Sequence, residues 1–327
     1  GEVLVKFKQK NFNLQALRGQ NEARSFAQKR GLIIENNIKL LNASLLKSDT
    51  KSTNELVAEL KQDPAVEYVE PNYIYHQLSI PNDPYFVNQW GLHNTGQSIN
   101  SISGTNDADI DMPEAWDYLA GKDTSEVVVA VLDGGINSQH PDLKSQILAG
   151  YDYVNFDNNP QDFSGHGTHV AGIIGALANN GQGVSGFSSN IKIVPIKVID
   201  DAGGATALEI VLGIYEAYNK KAKIINMSLG GGGYSQSMYN AMSFGKSLYD
   251  TLFIVAAGNS AGNNDSAPSY PASYDLDNII SVAATDQNDN LAAFSNYGTT
   301  SVDVSAPGVN IYSTTPYKIN ALNETFE

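Results

Sequence analysis

Cysteine is absent from this sequence of 327 residues, and histidine occurs only five times. Without cysteine the chain can form no disulfide framework, and a zinc site would find few ligands. Long apolar runs are absent too, since no stretch approaches the roughly 20 residues that a membrane helix needs. We therefore expect no membrane partner and a fold that depends on packing and on bound metal ions. The lack of cysteine fits an exported bacterial protein as well as a cytosolic one.

Basic residues are also scarce, with 20 Lys and Arg against 35 Asp and Glu, a formal charge of −15. Because phosphate binding needs clustered cations, this balance predicts no nucleic-acid partner. The charge is unevenly spread. Residues 1–80 hold eleven basic and nine acidic side chains, whereas residues 81–327 hold nine and twenty-six. A nearly neutral segment thus precedes a strongly acidic one.

The first 75 residues have the periodicities of a small α+β domain. Apolar and polar residues alternate from Val3 to Phe7 as in a half-buried strand, and helical spacing follows from Leu14 to Ala27. Ser52 and Glu55 form a capping-box pattern before a second helix. Further strands are predicted at residues 32–34, 40–46 and 66–75. The order βαββαβ predicts a ferredoxin-like sandwich over residues 1–76.

Residues 77–84 carry two prolines and little periodicity, which is typical of a linker. From residue 85 to residue 327, runs of Val, Ile and Leu alternate with helical stretches. Such buried strands separated by helices predict an α/β fold, a parallel sheet with helices on both faces. The strands are predicted at residues 127–132, 191–199, 224–227, 252–257, 279–282 and 302–304, and one helix at 170–177.

Three polar residues stand where such a sheet binds ligands. Asp133 follows the first of these strands, Asn259 follows a later one, and His166 precedes the helical stretch. The carboxyl ends of parallel strands share one edge, so these side chains should converge. A serine nucleophile needs an imidazole to take its proton and a carboxylate to orient that imidazole, and a side-chain amide can bind the negative oxygen that forms. The three residues fit those roles.

Each residue also has a simpler interpretation. An aspartate after a strand is often a turn former or helix cap, and Asn259 after Gly258 is compatible with a plain turn. His166 and His169 have the spacing of two metal ligands on one helix face, but few other histidines could complete a zinc site. For any one of these residues, the simple interpretation explains the sequence at least as well as the catalytic one does. The combination, in this order and with these neighbours, favours catalysis, and His169 is assigned to packing.

The sequence around these positions resembles the subtilisin-like serine proteases (subtilases) of the subtilisin and thermitase type. Residues 1–76 resemble the propeptide, or inhibitor, domain of that family. The resemblance covers nearly the whole chain and implies a secreted endopeptidase zymogen that cleaves proteins through an acyl-enzyme and is bound by its own propeptide. The similar stretches are Asn82 to Phe86, Asp133 to Gly135, His140 to Leu143, Gly165 to Gly172, Ile225 to Gly230, Ala256 to Asn259, Tyr270 to Ala272 and Ser305 to Val309.

One part of the family pattern does not occur in residues 1–327, the Gly-Thr-Ser-Met-Ala motif that carries the nucleophilic serine. Ser313 is no substitute, since nothing around it resembles a helix-initiating Gly-x-Ser. We therefore expect residues 1–327 alone to be inactive and a missing C-terminal segment of the same protein to supply the serine. The alternative is a noncatalytic pseudoprotease or protein-binding module on the same scaffold.

The resemblance also assigns substrate contacts, by strand addition on either side of an extended peptide. A glycine-rich run in such a place is otherwise a flexible loop. On one side the substrate would pair with Ser228, Leu229 and Gly230, and on the other with Gly203, Gly204 and Ala205. Ser269 corresponds to the floor of the first specificity pocket. Propeptide cleavage is expected between Tyr75 and Ile80.

The resemblance finally implies a calcium site. Calcium takes about six to eight oxygen ligands, which loops supply well. An ordinary turn containing Asn-Gly is the simpler interpretation of the same loop. The implied ligands are the carboxylates of Asp83 and Asp142, the side-chain oxygen of Asn180, and the main-chain oxygens of Leu177, Gln182 and Val184, with Asn179 as an alternative to Asn180.

Overall fold

This computed structural model describes residues 1–10, 12–73, 80–122, 124–316 and 318–324, the last range by its backbone alone. The chain divides into two compact units, residues 1–77 and residues 78–327. Part of the predicted linker and the predicted cleavage region, residues 74–79, lie outside the described residues. Within the described part of the chain, no helix is both long enough and apolar enough to span a bilayer.

The first unit is a four-stranded antiparallel sheet with two helices. Its elements are β1 (Glu2–Phe7), α1 (Leu17–Gln28), β2 (Ile33–Ile38), β3 (Ala43–Lys47), α2 (Thr53–Leu60) and β4 (Val66–Pro71). The strand order β2-β3-β1-β4 is that of a ferredoxin-like sandwich, as predicted. Val3, Val5 and Phe7 are fully buried against the helices, because alternate residues of a strand face the same side. The capping box of Ser52 and Glu55 is confirmed at the start of α2.

The second unit is built on a seven-stranded sheet, with short accessory strands. Its elements are a 3₁₀ turn (Phe86–Asn88), β5 (Ser98–Ile99), β6 (Ile102–Ser103), α3 (Met112–Leu119), β7 (Val127–Asp133), β8 (Tyr151–Asp152), α4 (His166–Gly175), β9 (Ile191–Lys197), α5 (Ala207–Asn219), β10 (Ile224–Met227), α6 (Gln236–Tyr249), β11 (Leu252–Ala256), β12 (Ile279–Thr285), β13 (Val304–Pro307), β14 (Ile311–Thr315) and β15 (Lys318–Glu324). The sheet order is β13-β12-β11-β10-β7-β9-β8, and the strand pairs are parallel.

Both faces of this sheet are covered, as the predicted α/β fold requires. Along β7, Ala130 and Leu132 pack into a core that includes α5 and α6. Their neighbours Val129 and Val131 pack into a second core that includes α4. A strand buried on both sides must be apolar at every position, which explains the continuous Val/Ala/Leu run. Because the strands are parallel, β7 and β11 end at the same edge, and the site lies there.

Several predicted element boundaries are wrong, because β2 spans Ile33–Ile38, β3 spans Ala43–Lys47, β9 ends at Lys197 and β12 extends to Thr285. β4 ends at Pro71, so residues 72 and 73 are not part of the predicted strand, and residues 74 and 75 lie outside the described part of the chain. The helix predicted at 170–177 spans His166–Gly175, because its start is set by hydrogen bonds to the first turn rather than by the apolar run. The strand predicted at 302–304 is displaced to Val304–Pro307.

Candidate active site

Asp133 and His166 form a hydrogen-bonded pair at the end of β7. The Nδ1 atom of His166 lies 2.8 Å from each carboxylate oxygen of Asp133. The aspartate side chain is 1% exposed and the histidine side chain 33% exposed, so one partner is buried while the other reaches the surface. A buried carboxylate on Nδ1 selects the tautomer with a proton there, which leaves Nε2 able to accept a proton.

Asp133 is fixed by the end of the neighbouring strand β9 and by its own turn. Its carbonyl oxygen accepts from the backbone N–H of Val198 at 2.9 Å, and its Oδ1 accepts from the N–H of Gly134 at 2.7 Å. Lys197 pairs with Asp133 in the parallel register and is only 2% exposed. Its Nζ donates to the carbonyl oxygen of Gly134 at 2.9 Å and to Asp201 Oδ1 at 2.7 Å. Lys197, at the end of β9, therefore holds the turn that follows β7.

His166 is the first residue of α4, and Asp162 holds that first turn. The Asp162 side chain is fully buried. One oxygen accepts from the N–H groups of Ser164 and Gly165 and from the Ser164 hydroxyl, and the other accepts from the N–H and hydroxyl of Thr168. A carboxylate here satisfies N–H groups that a helix start leaves unpaired and opposes the positive end of its dipole.

The start of α4 packs tightly on the end of β7. A Cβ at Gly167 would lie 2.0 Å from the carbonyl oxygen of Gly135 and 3.1 Å from Asp133 Cβ, so only glycine fits. This close approach brings the imidazole onto the carboxylate.

His169 lies one turn further along α4 and is fully buried. Burial lowers the pKa of His169 to about 3, an effect that its contact with the Ile311 carbonyl oxygen only partly opposes. This side chain therefore stays neutral at working pH, in keeping with the predicted packing role. Ser313 is also fully buried, and its hydroxyl donates a hydrogen bond to the His169 carbonyl oxygen at 2.7 Å. Its hydroxyl therefore has a structural role.

A groove of about 280 Å³ opens beside His166. His166, Ser228 and Asn259 all line this groove. Asn226 lies there too and donates to Ser228 Oγ at 2.9 Å. Much of the wall is apolar, including Val170, Ile173, Ile254, Val255, Ala256, Ala257, Val282, Ala283, Ala284, Phe294, Ala306, Pro307 and Ile311.

The other predicted substrate contacts do not line this groove in the part of the chain that the structure describes. Leu229 and Gly230 directly follow Ser228, with Gly230 near Ser269 Oγ and the Tyr270 carbonyl oxygen. Gly203, Gly204 and Ala205 are exposed in the loop after β9 and form no strand. Asp200 holds this loop by accepting from the N–H of Gly204 at 2.8 Å.

The sequence reasoning did not single out Asp162, Lys197 or Asn226. Asp162 lies four residues before His166, and an acidic residue just before a helix is a signal that could have found it. A lysine within an apolar strand was the available signal for Lys197, because lysine is rarely buried unless it is paired.

The predicted calcium ligands form a compact cluster. Asp83 and Asp142 are 3% and 2% exposed, and the pKa of Asp142 is raised by burial and, to a smaller extent, by the nearby Asp83 charge. Asp83 accepts from the N–H groups of Asn179 and Asn180, while Asp142 accepts from Val184 N–H and Asn180 Nδ2. A Cβ at Gly183 would lie 2.0 Å from Asp142 Oδ2.

The oxygen atoms of these residues are ligands that suit a hard cation. Such a cation would offset the repulsion between the two buried carboxylates. Within the described ranges no three His, Cys, Asp or Glu side chains gather as a metal-binding group. The predicted set has only two carboxylates, so the remaining ligands would be amide and main-chain oxygens.

Comparison with known proteins gives two family matches. The model of the subtilase family, peptidase S8, matches residues 124–326, and that of the fervidolysin N-terminal prodomain matches residues 1–72. The chain is 36% identical over 317 residues to a thermophilic serine proteinase of Bacillus sp. (strain AK1), covering 96% of this chain and 71% of that protein.

Thermitase of Thermoactinomyces vulgaris is 40% identical over 237 residues, which is 72% of this chain and 76% of thermitase. Among solved structures, a protease from Pseudoalteromonas arctica PAMC 21717 superposes with a TM-score of 0.60 at 34% identity. That superposition covers 72% of this chain and 77% of the other.

Proposed function

Because this chain belongs to the subtilase family of serine endopeptidases, we propose that Asp133 and His166 are two members of its catalytic triad and that Asn259 is its oxyanion donor. The observation that carries the proposal is the hydrogen bond of the exposed His166 imidazole to the buried Asp133 carboxylate, beside a groove that Asn259 also lines.

In this proposal each side chain has one step. His166 Nε2 takes the proton of the serine hydroxyl as that oxygen attacks the scissile carbonyl, and later returns the proton to the leaving amine. Asp133 holds the ring and stabilises the imidazolium. The Asn259 amide donates to the oxygen that becomes negative in the tetrahedral intermediate. Water then takes the place of the amine: His166 Nε2 accepts a proton from the water that attacks the acyl carbon and gives it to the serine oxygen as the acid leaves.

We also propose that a segment of the protein outside residues 1–327 supplies the nucleophilic serine, since no motif of the family type occurs in these residues. The noncatalytic alternative makes the opposite prediction for the coding sequence. A Gly-Thr-Ser-Met-Ala stretch shortly downstream supports the enzyme, and its absence supports a pseudoprotease.

The first test compares variants of the protein made from its complete coding sequence. Asp133→Ala and His166→Ala should each lower kcat by several orders of magnitude. Asn259→Ala should lower it by about 10²–10³, the magnitude known for the corresponding asparagine of subtilisin. Normal kcat in any of the three variants would remove that residue from the proposed site.

The substrate is proposed to bind as an extended strand between Ser228–Gly230 and Gly203–Ala205. The position of the second segment supports this, because its residues are exposed and belong to no sheet. Ser269, beside Gly230, would lie at the floor of the first specificity pocket.

Calcium is proposed at Asp83, Asp142, Leu177, Asn180, Gln182 and Val184. The ion would balance the two buried carboxylates and tie the chain near residue 83 to the loop after α4, which stabilises the fold and leaves the chemistry to the triad.

The prodomain match over residues 1–72 supports a zymogen in which this first unit binds the catalytic unit as an inhibitor. The cleavage site is proposed between Tyr75 and Ile80. We further propose that the protein acts outside the cell, as relatives named cell wall-associated protease and extracellular protease do.

A further inference from the structure

The loop that carries Asn259 is held by a buried side-chain amide that no step of the mechanism uses. Asn296 lies in the segment between β12 and β13 and is 4% exposed. Its Oδ1 accepts from the backbone N–H groups of Ser260 at 2.8 Å and Gly262 at 3.0 Å. Its Nδ2 donates to the Ala257 carbonyl oxygen at 3.1 Å.

Main-chain bonds complete this clamp on the loop. The N–H of Asn296 donates to the Gly258 carbonyl oxygen at 2.8 Å, and the N–H of Ala261 donates to the Phe294 carbonyl oxygen at 2.8 Å. Residues immediately before and after Asn259 are thus bound to one segment. A loop with so many fixed backbone groups cannot shift its asparagine without breaking several hydrogen bonds.

The second buried amide, Asn264, fixes the orientation of the first. Asn264 is 1% exposed, accepts from Asn296 Nδ2 at 2.9 Å, and donates to the Ala257 carbonyl oxygen at 2.8 Å. Asn296 therefore faces two N–H donors on one side and two oxygen acceptors on the other, a set that only a neutral amide of this length matches. Gly258 allows this approach, because its φ is +117° and a Cβ there would lie 2.5 Å from Asn296 Nδ2.

We propose that Asn296 is a positioning residue for the oxyanion site, which acts on the reaction through the placement of Asn259. The inference rests on the proposed role of Asn259. Oxyanion stabilisation depends on a donor that is already in place when charge develops, and a displacement of about 1 Å can cost about 10²-fold in rate. The loss should appear in kcat rather than KM, because the interaction is made only in the transition state.

The kinetic test uses the enzyme made from its complete coding sequence, well below the melting temperature of every variant. Asn296→Ala should lower kcat roughly 10- to 100-fold with KM unchanged. The pH profile of kcat/KM should keep its midpoint, because the Asp133–His166 pair is untouched. Asn296→Asp preserves the shape of the side chain but turns a negative oxygen toward the Ala257 carbonyl oxygen, so it should also lower kcat. This second variant replaces the alanine variant in the test if the alanine variant folds poorly.

The matched control is Asn278, another buried amide, located at the opposite, amino-terminal end of β12. It is 6% exposed, and its Nδ2 donates to the carbonyl oxygens of Met242 and Thr251. Asn278→Ala should lower the melting temperature yet preserve kcat. If Asn296→Ala reduces kcat no more than this control, the positioning role is wrong.

A double-variant comparison decides whether Asn296 acts through Asn259. In the Asn259→Ala background, adding Asn296→Ala should produce little further loss of kcat, since the donor is already gone. If the Asn296→Ala factor persists in full, the residue acts by another route and the proposal fails.

A measurement without catalysis separates this inference from the proposed function. In residues 1–327, the Ser260 and Gly262 amides should be protected from hydrogen exchange, and Asn296→Ala should remove that protection. Equal exchange in both proteins overturns the clamp. Normal kcat in Asn259→Ala, with protection intact in the parent protein, would instead overturn the assigned role of Asn259 and with it the expected effect of Asn296 on kcat, while the hydrogen-bonded clamp would stand.

Discussion

At the residue scale, the polar side chains of the site form two groups, one buried and one exposed to solvent. Asp133, Asp162 and Lys197 are almost fully buried, and each has several hydrogen-bond partners that fix its position. His166 and Asn259, which are proposed to meet the substrate, are partly exposed and exposed, respectively. The buried side chains are desolvated but hydrogen-bonded, and they hold the site rigid. The exposed side chains therefore need not reorganise during the reaction.

His169 gives a residue-scale prediction about pH. Its pKa is about 3 in the folded protein and about 6.5 in an unfolded chain, so below pH 6.5 the unfolded state binds more protons. Stability should therefore fall as pH drops from about 6.5 toward 3, at up to about 1.4 kcal/mol per pH unit from this group.

Urea unfolding of residues 1–327 at a series of pH values checks this expectation. His169→Gln removes the titrating group, so its stability should depend less on pH over the same interval. An identical pH dependence in both proteins would show that His169 is not the responsible group.

At the element scale, α4 is specified by what lies just before it. Its N-cap residue, Gly165, has φ +103° and no side chain, so the capping is done by Asp162 three residues earlier. Gly167 then allows the helix to contact β7. This start, rather than the apolar run that follows, places His166.

Asp162→Ala should therefore affect stability and activity together. It leaves buried N–H and hydroxyl groups without their acceptor, each costing about 1–3 kcal/mol, and it frees the turn that carries His166. We expect a loss of stability of several kcal/mol and a lower kcat/KM, measured by urea unfolding and peptide hydrolysis.

Ser235→Ala at the start of α6 is the matched control. Ser235 accepts from the Met238 N–H in an ordinary N-cap, so its removal should cost about 0.5–2 kcal/mol and leave kcat/KM unchanged. Equal effects of the two substitutions on both quantities would contradict a special role for Asp162.

At the scale of the whole molecule, the charge distribution favours cation binding. Residues 81–327 hold twenty-six acidic side chains against nine basic ones. Two of those acids, Asp83 and Asp142, are buried close together. A cation bound only by the folded state would offset their repulsion and raise the stability of the second unit.

Removal of calcium with EDTA should accordingly lower the melting temperature. A ligand at a hundredfold excess over its Kd contributes about 2.7 kcal/mol to the free energy of unfolding. Asp142→Asn should lose most of this calcium dependence. A melting curve that EDTA leaves unchanged in the unmodified protein would argue against the site.

The two-unit organisation predicts inhibition in trans. Residues 1–76, expressed separately, should inhibit the mature enzyme, since the first unit has its own sheet, helices and core and so should fold alone. The measurement is residual peptidase activity against added prodomain. No inhibition at micromolar concentration would contradict the proposed role.

The sequence by itself determined the features that depend on residues close together in the chain. Strands buried on both faces must be apolar throughout, so β7, β9, β10 and β11 were predictable to within a few residues. The neighbours of Asp133, His166 and Asn259 carried the resemblance to the subtilase family. The capping box of α2 was equally visible, because its two residues lie three apart in the chain.

Only the tertiary structure decided which distant groups support those residues. Asn296 and Lys197 lie far along the chain from the groups they hold, and no local periodicity marks an amide or an ammonium as a partner of another loop. The start of α4 likewise depended on the contact of Gly167 with β7, which joins residues far apart in the chain. Buried polar groups must find partners wherever the fold brings them, so their pairing follows from the packed structure and could not be read from neighbouring residues.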